Sequence, residues 1–91
     1  MSAPSVEIRY FAAARAAAGV ASEHVEPGAA GATSLVDVLD AVRARHDARF
    51  ADVLTVCSLL VDGAPVGRRD PASVPVGEGS VVEVLPPFAG G

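Results

Sequence analysis

Val81-Val82-Glu83-Val84-Leu85-Pro86-Pro87-Phe88-Ala89-Gly90-Gly91 occupies the last eleven positions, and its reading decides what the rest of the chain must be. The first five residues are mostly β-branched and apolar around one acid, the composition of a strand. Pro86 and Pro87 then offer no amide N–H and hold φ at about −65°, so they cannot extend a sheet and project the remainder as an arm. Gly90 and Gly91 lack Cβ atoms, which makes the end slim enough to enter a narrow channel and present its carboxylate to another protein. That carboxylate is inert at neutral pH, but an acyl-adenylate formed with ATP would open its carbonyl carbon to attack. A frayed, solvated tail is the alternative. Against it stands Phe88, where a purely solubilising tail would carry Ser, Glu or Lys.

Upstream, Val6-Glu7-Ile8-Arg9-Tyr10-Phe11 alternates with the period of a half-buried strand, and Val6, Ile8 and Tyr10 are expected to face the core. Phe11 then falls on the polar face, either capping the core or serving as a docking residue. Residues 12–18 read as an alanine-rich turn or short helix that Gly19 ends in a left-handed conformation. Residues 21–26 read as a second strand returning along the first, and residues 27–32 as a loop. Thr33 or Ser34 caps a helix with Leu35, Val38, Leu39 and Val42 on its apolar face. Asp37 and Asp40 lie toward its start, and Arg43, Arg45 and His46 toward its end, in keeping with the helix dipole. Phe50, Val53 and Leu54 predict a further short helical turn over the core. Cys57-Ser58-Leu59-Leu60-Val61 is a third strand with Cys57 as a core thiol, Asp62-Gly63 a turn, and Pro65-Val66 the start of an edge strand. Arg68 and Arg69 read as a solvated loop, and Gly77-Glu78-Gly79 as the turn into the final strand.

The 91 residues suffice for one domain, residues 1–85, followed by the tail of residues 86–91. Hydrophobic residues make up 51% of the chain, but alanine inflates that figure and no apolar run approaches a membrane span, so a soluble cytoplasmic protein is expected. A net charge of −4 argues against nucleic acid as a partner. The single cysteine excludes an internal disulfide and is too little for a zinc or iron-sulfur site, while His24 and His46 have no metal-ligand spacing. All seven basic residues are Arg, so any side-chain amine chemistry must come from a partner.

Strand, strand, helix, strand, short strand, strand is an α+β order with one main helix across a mixed sheet, and it resembles the β-grasp, the ubiquitin-like fold. That fold places the first and last strands side by side and parallel. Val82 and Val84 would then face the helix, and Leu85 would lie beside Phe11 on the outer face. Phe11, Leu85, Pro86, Pro87 and Phe88 together make a candidate docking patch at the root of the tail.

Tyr10-Phe11-Ala12-Ala13-Ala14-Arg15, with Gly19 beyond it, resembles the Phe-Ala-x-x-Arg signature of the small, sulfur-carrying subunit of molybdopterin synthase. Pro86-Pro87-Phe88-Ala89-Gly90-Gly91 matches the Pro-Pro-x-x-Gly-Gly ending of that family, and the likeness runs over residues 6–91. The chain departs from the family at Glu78-Gly79-Ser80-Val81, where Asp-Gly-Asp-Glu is common, and at Asp62, where Asn is common. The resemblance implies a non-catalytic, sulfur-donating subunit in molybdenum cofactor biosynthesis. Gly91 would be adenylated transiently with ATP by a ubiquitin-activating-like adenylyltransferase, then converted by a sulfur donor to a thiocarboxylate. Gly90 would give that end access to the large subunit's active site in a heterotetramer, with no permanently bound cofactor or metal and no membrane. Gly-Gly alone is also the ending of thiamine and cysteine-pathway carriers and of ubiquitin-like modifiers. A sulfur carrier for another pathway and a non-catalytic interaction module or modifier therefore remain open.

Overall fold

The computed structural model describes residues 5–28 and 32–87. β1 (Val6–Tyr10) buries Val6, Ile8 and Tyr10 and turns Glu7 and Arg9 to the other face. α1 (Ala12–Ala18) follows at once and ends on Gly19, whose φ of +76° lets its N–H reach back to the Arg15 carbonyl. β2 (Ser22–Val25) returns antiparallel to β1, with Ile8 beside Glu23.

β3 (Ala32–Ser34) leads into α2 (Leu35–Arg45). The two candidate caps share the work: the Ser34 hydroxyl accepts from the Asp37 N–H, and the Thr33 hydroxyl donates to the Asp37 carboxylate. Leu35, Val38, Leu39 and Val42 are all buried, as their spacing requires. α3 (Ala48–Val56) is larger than the expected short turn, a nine-residue helix. Its start is set by Asp47, whose carboxylate accepts from the Phe50 N–H at 3.0 Å.

β4 (Ser58–Val61) and β5 (Ala64–Pro65) form a hairpin through Asp62 and Gly63. Both turn residues have positive φ, +51° and +84°, the requirement of a tight two-residue connection. A 3₁₀ turn (Pro71–Ser73), capped by the Asp70 carboxylate, precedes β6 (Pro75–Gly77), and β7 (Val81–Leu85) is the last element among the described residues.

The main sheet runs β2-β1-β7-β4-β5, so the first and last strands are central. They are parallel, with Ile8 beside Val82 and Tyr10 beside Val84. The inner face of this sheet packs on α2 and α3, and each fully buried aliphatic side chain contributes about 1.5–3 kcal/mol. Tyr10 meets Phe50 edge-on at 5.5 Å between ring centroids, which sets α3 over the middle of the sheet.

Two expectations need correcting. The segment read as a loop, residues 27–32, ends in a strand: Ala32 already pairs with Gly77 across a second small sheet of β3 and β6, while residues 29–31 lie outside the described residues. Three-residue strands are too short to show an alternating pattern, so only the contact reveals them. Cys57, read as the first residue of a strand and part of the core, is instead the C-cap of α3. It is half-buried against the core's rim, and its thiol donates to the Val53 carbonyl at 3.1 Å. Burial pushes the thiol's pKa up, so it stays protonated.

Candidate functional site

The strand pairing that builds the site begins one residue past β1. Phe11 is still extended, with φ −128°, and its N–H donates to the Val84 carbonyl at 3.0 Å. The parallel register therefore carries on by one position and sets Phe11 alongside Leu85. Ala12 then takes φ +53°, a left-handed conformation costly for a residue with a Cβ, and the chain swings into α1 before Phe11 can be covered. Phe11 remains 39% exposed on the outer face.

Leu85 is half-buried and lies opposite Ser58, while Pro86 and Pro87 beyond it are exposed. Phe11, Leu85, Pro86 and Pro87 are thus brought together at one end of the sheet. The remaining predicted site residues, Phe88, Gly90 and Gly91, lie outside the described residues.

Val81 lies on this face as the parity of the last strand requires, and one further apolar member, Leu60, escaped the sequence reading. Leu60 sits between Glu83 and Pro65, and Val81 sits beside Glu7, all on the outer side. The alternation of Leu59, Leu60 and Val61 carried the signal: if Leu59 and Val61 face inward, Leu60 must face out. Charges border the patch. Arg9 donates twice to the Glu7 carboxylate, at 3.0 and 3.3 Å, and that hydrogen bond holds Glu7 below the usual carboxylate range.

β7 is held firmly on both sides. At its start the Val81 N–H donates to the Asp62 carboxylate at 2.9 Å, and the Asp62 N–H donates to the Val81 carbonyl at 2.9 Å. Asp62, to which the sequence assigned no chemistry, therefore shapes a turn and anchors the strand that leads into the tail.

Behind the sheet, Glu23 gathers three donors: the Tyr10 hydroxyl at 2.6 Å, His46 Nε2 at 2.6 Å and an Arg45 guanidinium nitrogen at 2.9 Å. The same Arg45 nitrogen also donates to the His24 carbonyl at 2.7 Å. Burial works to raise the Glu23 pKa, but the hydrogen bonds from Tyr10, His46 and Arg45 outweigh it and hold the carboxyl below its ordinary range. Burial, then the hydrogen bond to Glu23 and the Glu23 charge, pushes the Tyr10 pKa upward. This cluster ties β1, edge strand β2 and the end of α2 together. Two clefts flank the tail-bearing end of the sheet: one of about 300 Å³ containing Phe11, Ala12 and Arg15, the other of about 410 Å³ containing Ser58, Pro65 and Arg68.

Among the described residues no cluster of His, Cys, Asp and Glu is arranged to hold a metal ion. No described helix is long and apolar enough to cross a membrane. The described arrangement is a central strand with an apolar patch at its end and two exposed prolines beyond it.

The ThiS family matches residues 8–91. No curated protein matches the chain. Among solved structures, the HVO 2177 protein of Haloferax volcanii is 30% identical over 97% of this chain and 87% of its own, with a TM-score of 0.73. A Pyrococcus furiosus protein described as molybdopterin converting factor, subunit 1, is 25% identical over 96% of this chain and all of its own, with a TM-score of 0.74. Subunit 1 in the complex of subunits 1 and 2 of molybdopterin-converting factor from Helicobacter pylori shares the fold at 23% identity and a TM-score of 0.63, covering 96% of this chain and 99% of its own. The fold is also that of the small archaeal modifier protein 1 of Methanosarcina acetivorans and of the BexX/CysO complex of Amycolatopsis orientalis.

Proposed function

The chain belongs to the ThiS family of ubiquitin-like β-grasp sulfur carriers, and on that premise we propose that it is the sulfur-donating subunit of molybdopterin synthase. One observation carries the reading: the parallel pairing of β1 with β7 sets Phe11, Leu85 and the proline pair together where the tail departs. The likeness to the Pyrococcus furiosus subunit 1 supports the pathway.

In this reading the Gly91 carboxylate attacks ATP within an adenylyltransferase of the ubiquitin-activating type, giving an acyl-adenylate and pyrophosphate. A sulfur donor then displaces AMP, leaving a terminal thiocarboxylate, which is ionised at neutral pH and a better nucleophile than a carboxylate. Pro86 and Pro87 hold the tail extended, and Gly90 and Gly91 let it thread into the large subunit, where sulfur attacks an activated carbon of the pterin precursor and displaces its leaving group; water then cleaves the resulting thioester, which leaves sulfur on the pterin and returns the Gly91 carboxylate. Two such transfers build the dithiolene that binds molybdenum. The carrier supplies sulfur and position; the large subunit, in a heterotetramer, supplies the cationic side chains for substrate. The setting is cytoplasmic, with neither membrane nor nucleic acid involved.

Phe11, Leu60, Val81 and Leu85 form the contact surface for these partners. A subunit 1 of this fold has been solved with its subunit 2, which supports a large-subunit partner. The second reading is a carrier or modifier with a different acceptor, favoured by the same fold in the small archaeal modifier and in the BexX/CysO complex.

The test is the intact mass of the protein after incubation with ATP, the adenylyltransferase and sulfur donor of its own source, followed by the large subunit and pterin precursor. Replacement of one oxygen by sulfur at Gly91, discharged on precursor, is the expected result. A terminus that never gains sulfur sinks the carrier reading, and a thiocarboxylate not discharged on the pterin moves it to another acceptor.

A further inference from the structure

Seven arginines are the chain's only side-chain cations other than histidine, and most are occupied. Arg9, Arg43 and Arg45 form ion pairs with Glu7, Asp40 and Glu23. Arg69 donates to the Val66 and Pro65 carbonyls. Among the described residues Arg15, Arg49 and Arg68 make no ion pair or side-chain hydrogen bond, and all three are exposed. Two of the three flank the root of the tail.

Their positions follow from the strand order. At the sheet end from which the tail leaves, Phe11, Leu85 and Ser58 lie in a row across β1, β7 and β4. On the β2 side of that row lies the cleft with Arg15, where Phe11, Ala12 and Ala21 line the wall together with Glu7 and Arg9, whose ion pair adds no net charge. On the β5 side lies the cleft with Arg68, where Ser58, Pro65 and Val66 line the wall. With strands about 4.8 Å apart, the clefts stand on the order of 15–20 Å from each other across the apolar row.

We propose that Arg15 and Arg68 form a two-point bracket for an acidic protein surface, one with an apolar centre and a carboxylate on each side, which docks over Phe11 and Leu85. The argument is charge complementarity. The chain carries a net charge of −4, so an acidic partner is repelled over most of its surface, and its two unpaired cations beside the tail reverse that locally. Continuity with the apolar patch supplies the rest, because the partner that covers Phe11 and Leu85 must pass between the two clefts. Arg15 and Arg68 set the orientation in which the tail enters, and they act on the rate of encounter more than on the lifetime of the complex. The proposal rests on the carrier reading only for who the partner is, not for the bracket itself.

Two measurements test it separately from that reading. In the first, the isotope-labelled chain is titrated by NMR with the acetylated peptide Glu-Gly-Leu-Leu-Ala-Gly-Glu-amide, whose end residues lie roughly 20 Å apart when extended. Shifts at the Arg15 and Arg68 side chains and the Phe11 and Leu85 amides, lost in high salt, are expected; equal shifts at Arg49, or none, overturn the bracket. In the second, association with the large subunit and the adenylyltransferase is followed at low salt for Arg15→Gln/Arg68→Gln and for Arg49→Gln. The double variant is expected to associate about tenfold more slowly with an unchanged thermal midpoint, and the Arg49 variant at the wild-type rate. Equal rates for both variants overturn the proposal. Specific peptide binding by a chain that binds neither enzyme would uphold the bracket and sink the molybdopterin synthase reading instead.

Discussion

Asp62 and Val81 hold each other twice: each donates its backbone N–H to the other residue, one to a carbonyl and one to a carboxylate, both at 2.9 Å. This clamp sits where β7 begins, so it ties the start of the tail-bearing strand to the turn of the β4–β5 hairpin. Asp62 must also accept φ +51°, which Asp and Asn tolerate better than other residues with a Cβ.

Asp62→Ala is therefore expected to cost about 1–2 kcal/mol, from one lost hydrogen bond and a strained turn. Asp62→Asn keeps an acceptor oxygen and the turn preference, and should stay within about 0.5 kcal/mol of wild type. Urea denaturation of the two variants checks this. Equal losses would show that the carboxylate charge, not the hydrogen bond, is what matters.

The patch at the sheet end should separate binding from folding. Phe11→Ser and Leu85→Ser together are expected to weaken capture by the proposed large-subunit partner by about 2 kcal/mol or more, roughly thirtyfold in Kd. Phe11 is exposed and Leu85 only half-buried, so the circular dichroism spectrum should be retained. Calorimetric titration gives the affinity, and undiminished binding would place the partner elsewhere.

Glu23 predicts a pH dependence of stability. Its carboxyl is held below the ordinary value of 4.5 in the folded state by Tyr10, His46 and Arg45, so the unfolded chain binds the proton more readily. Its contribution is present above the unfolded pKa and is lost as pH falls through the folded one. Melting temperatures measured downward from pH 6 should therefore drop less steeply for Glu23→Gln than for wild type. Parallel curves would refute the role given to this cluster.

Backbone conformation gives two substitutions of opposite sign at the ends of α1. Gly19→Ala places a Cβ at φ +76° and is expected to cost about 1 kcal/mol. Ala12→Gly removes a Cβ from φ +53° and is expected to stabilise by about 0.5 kcal/mol, after the flexibility of glycine in the unfolded chain is taken into account. Chemical denaturation of both variants reads the signs directly.

Local pattern carried much of this protein. The alternation of Val6, Ile8 and Tyr10, the helical spacing from Leu35 to Val42 and the glycine after residues 12–18 each dictate a local conformation, because side-chain period and backbone preference act over a few residues. Parity extended that reach: once the fold was recognised, Val82 and Val84 had to face inward and Leu85 outward beside Phe11. What local pattern could not supply was anything made by residues distant in sequence without a periodic trace. The β3–β6 pairing has only three residues on each side, Cys57 belongs to the end of a helix rather than to the strand it adjoins, and Glu23 meets Tyr10, Arg45 and His46 only because an edge strand and a helix end converge. The same holds for the arginines. Their number is a property of the sequence, but which are occupied and which flank the tail is decided by the packing that brings each to its carboxylate or carbonyl.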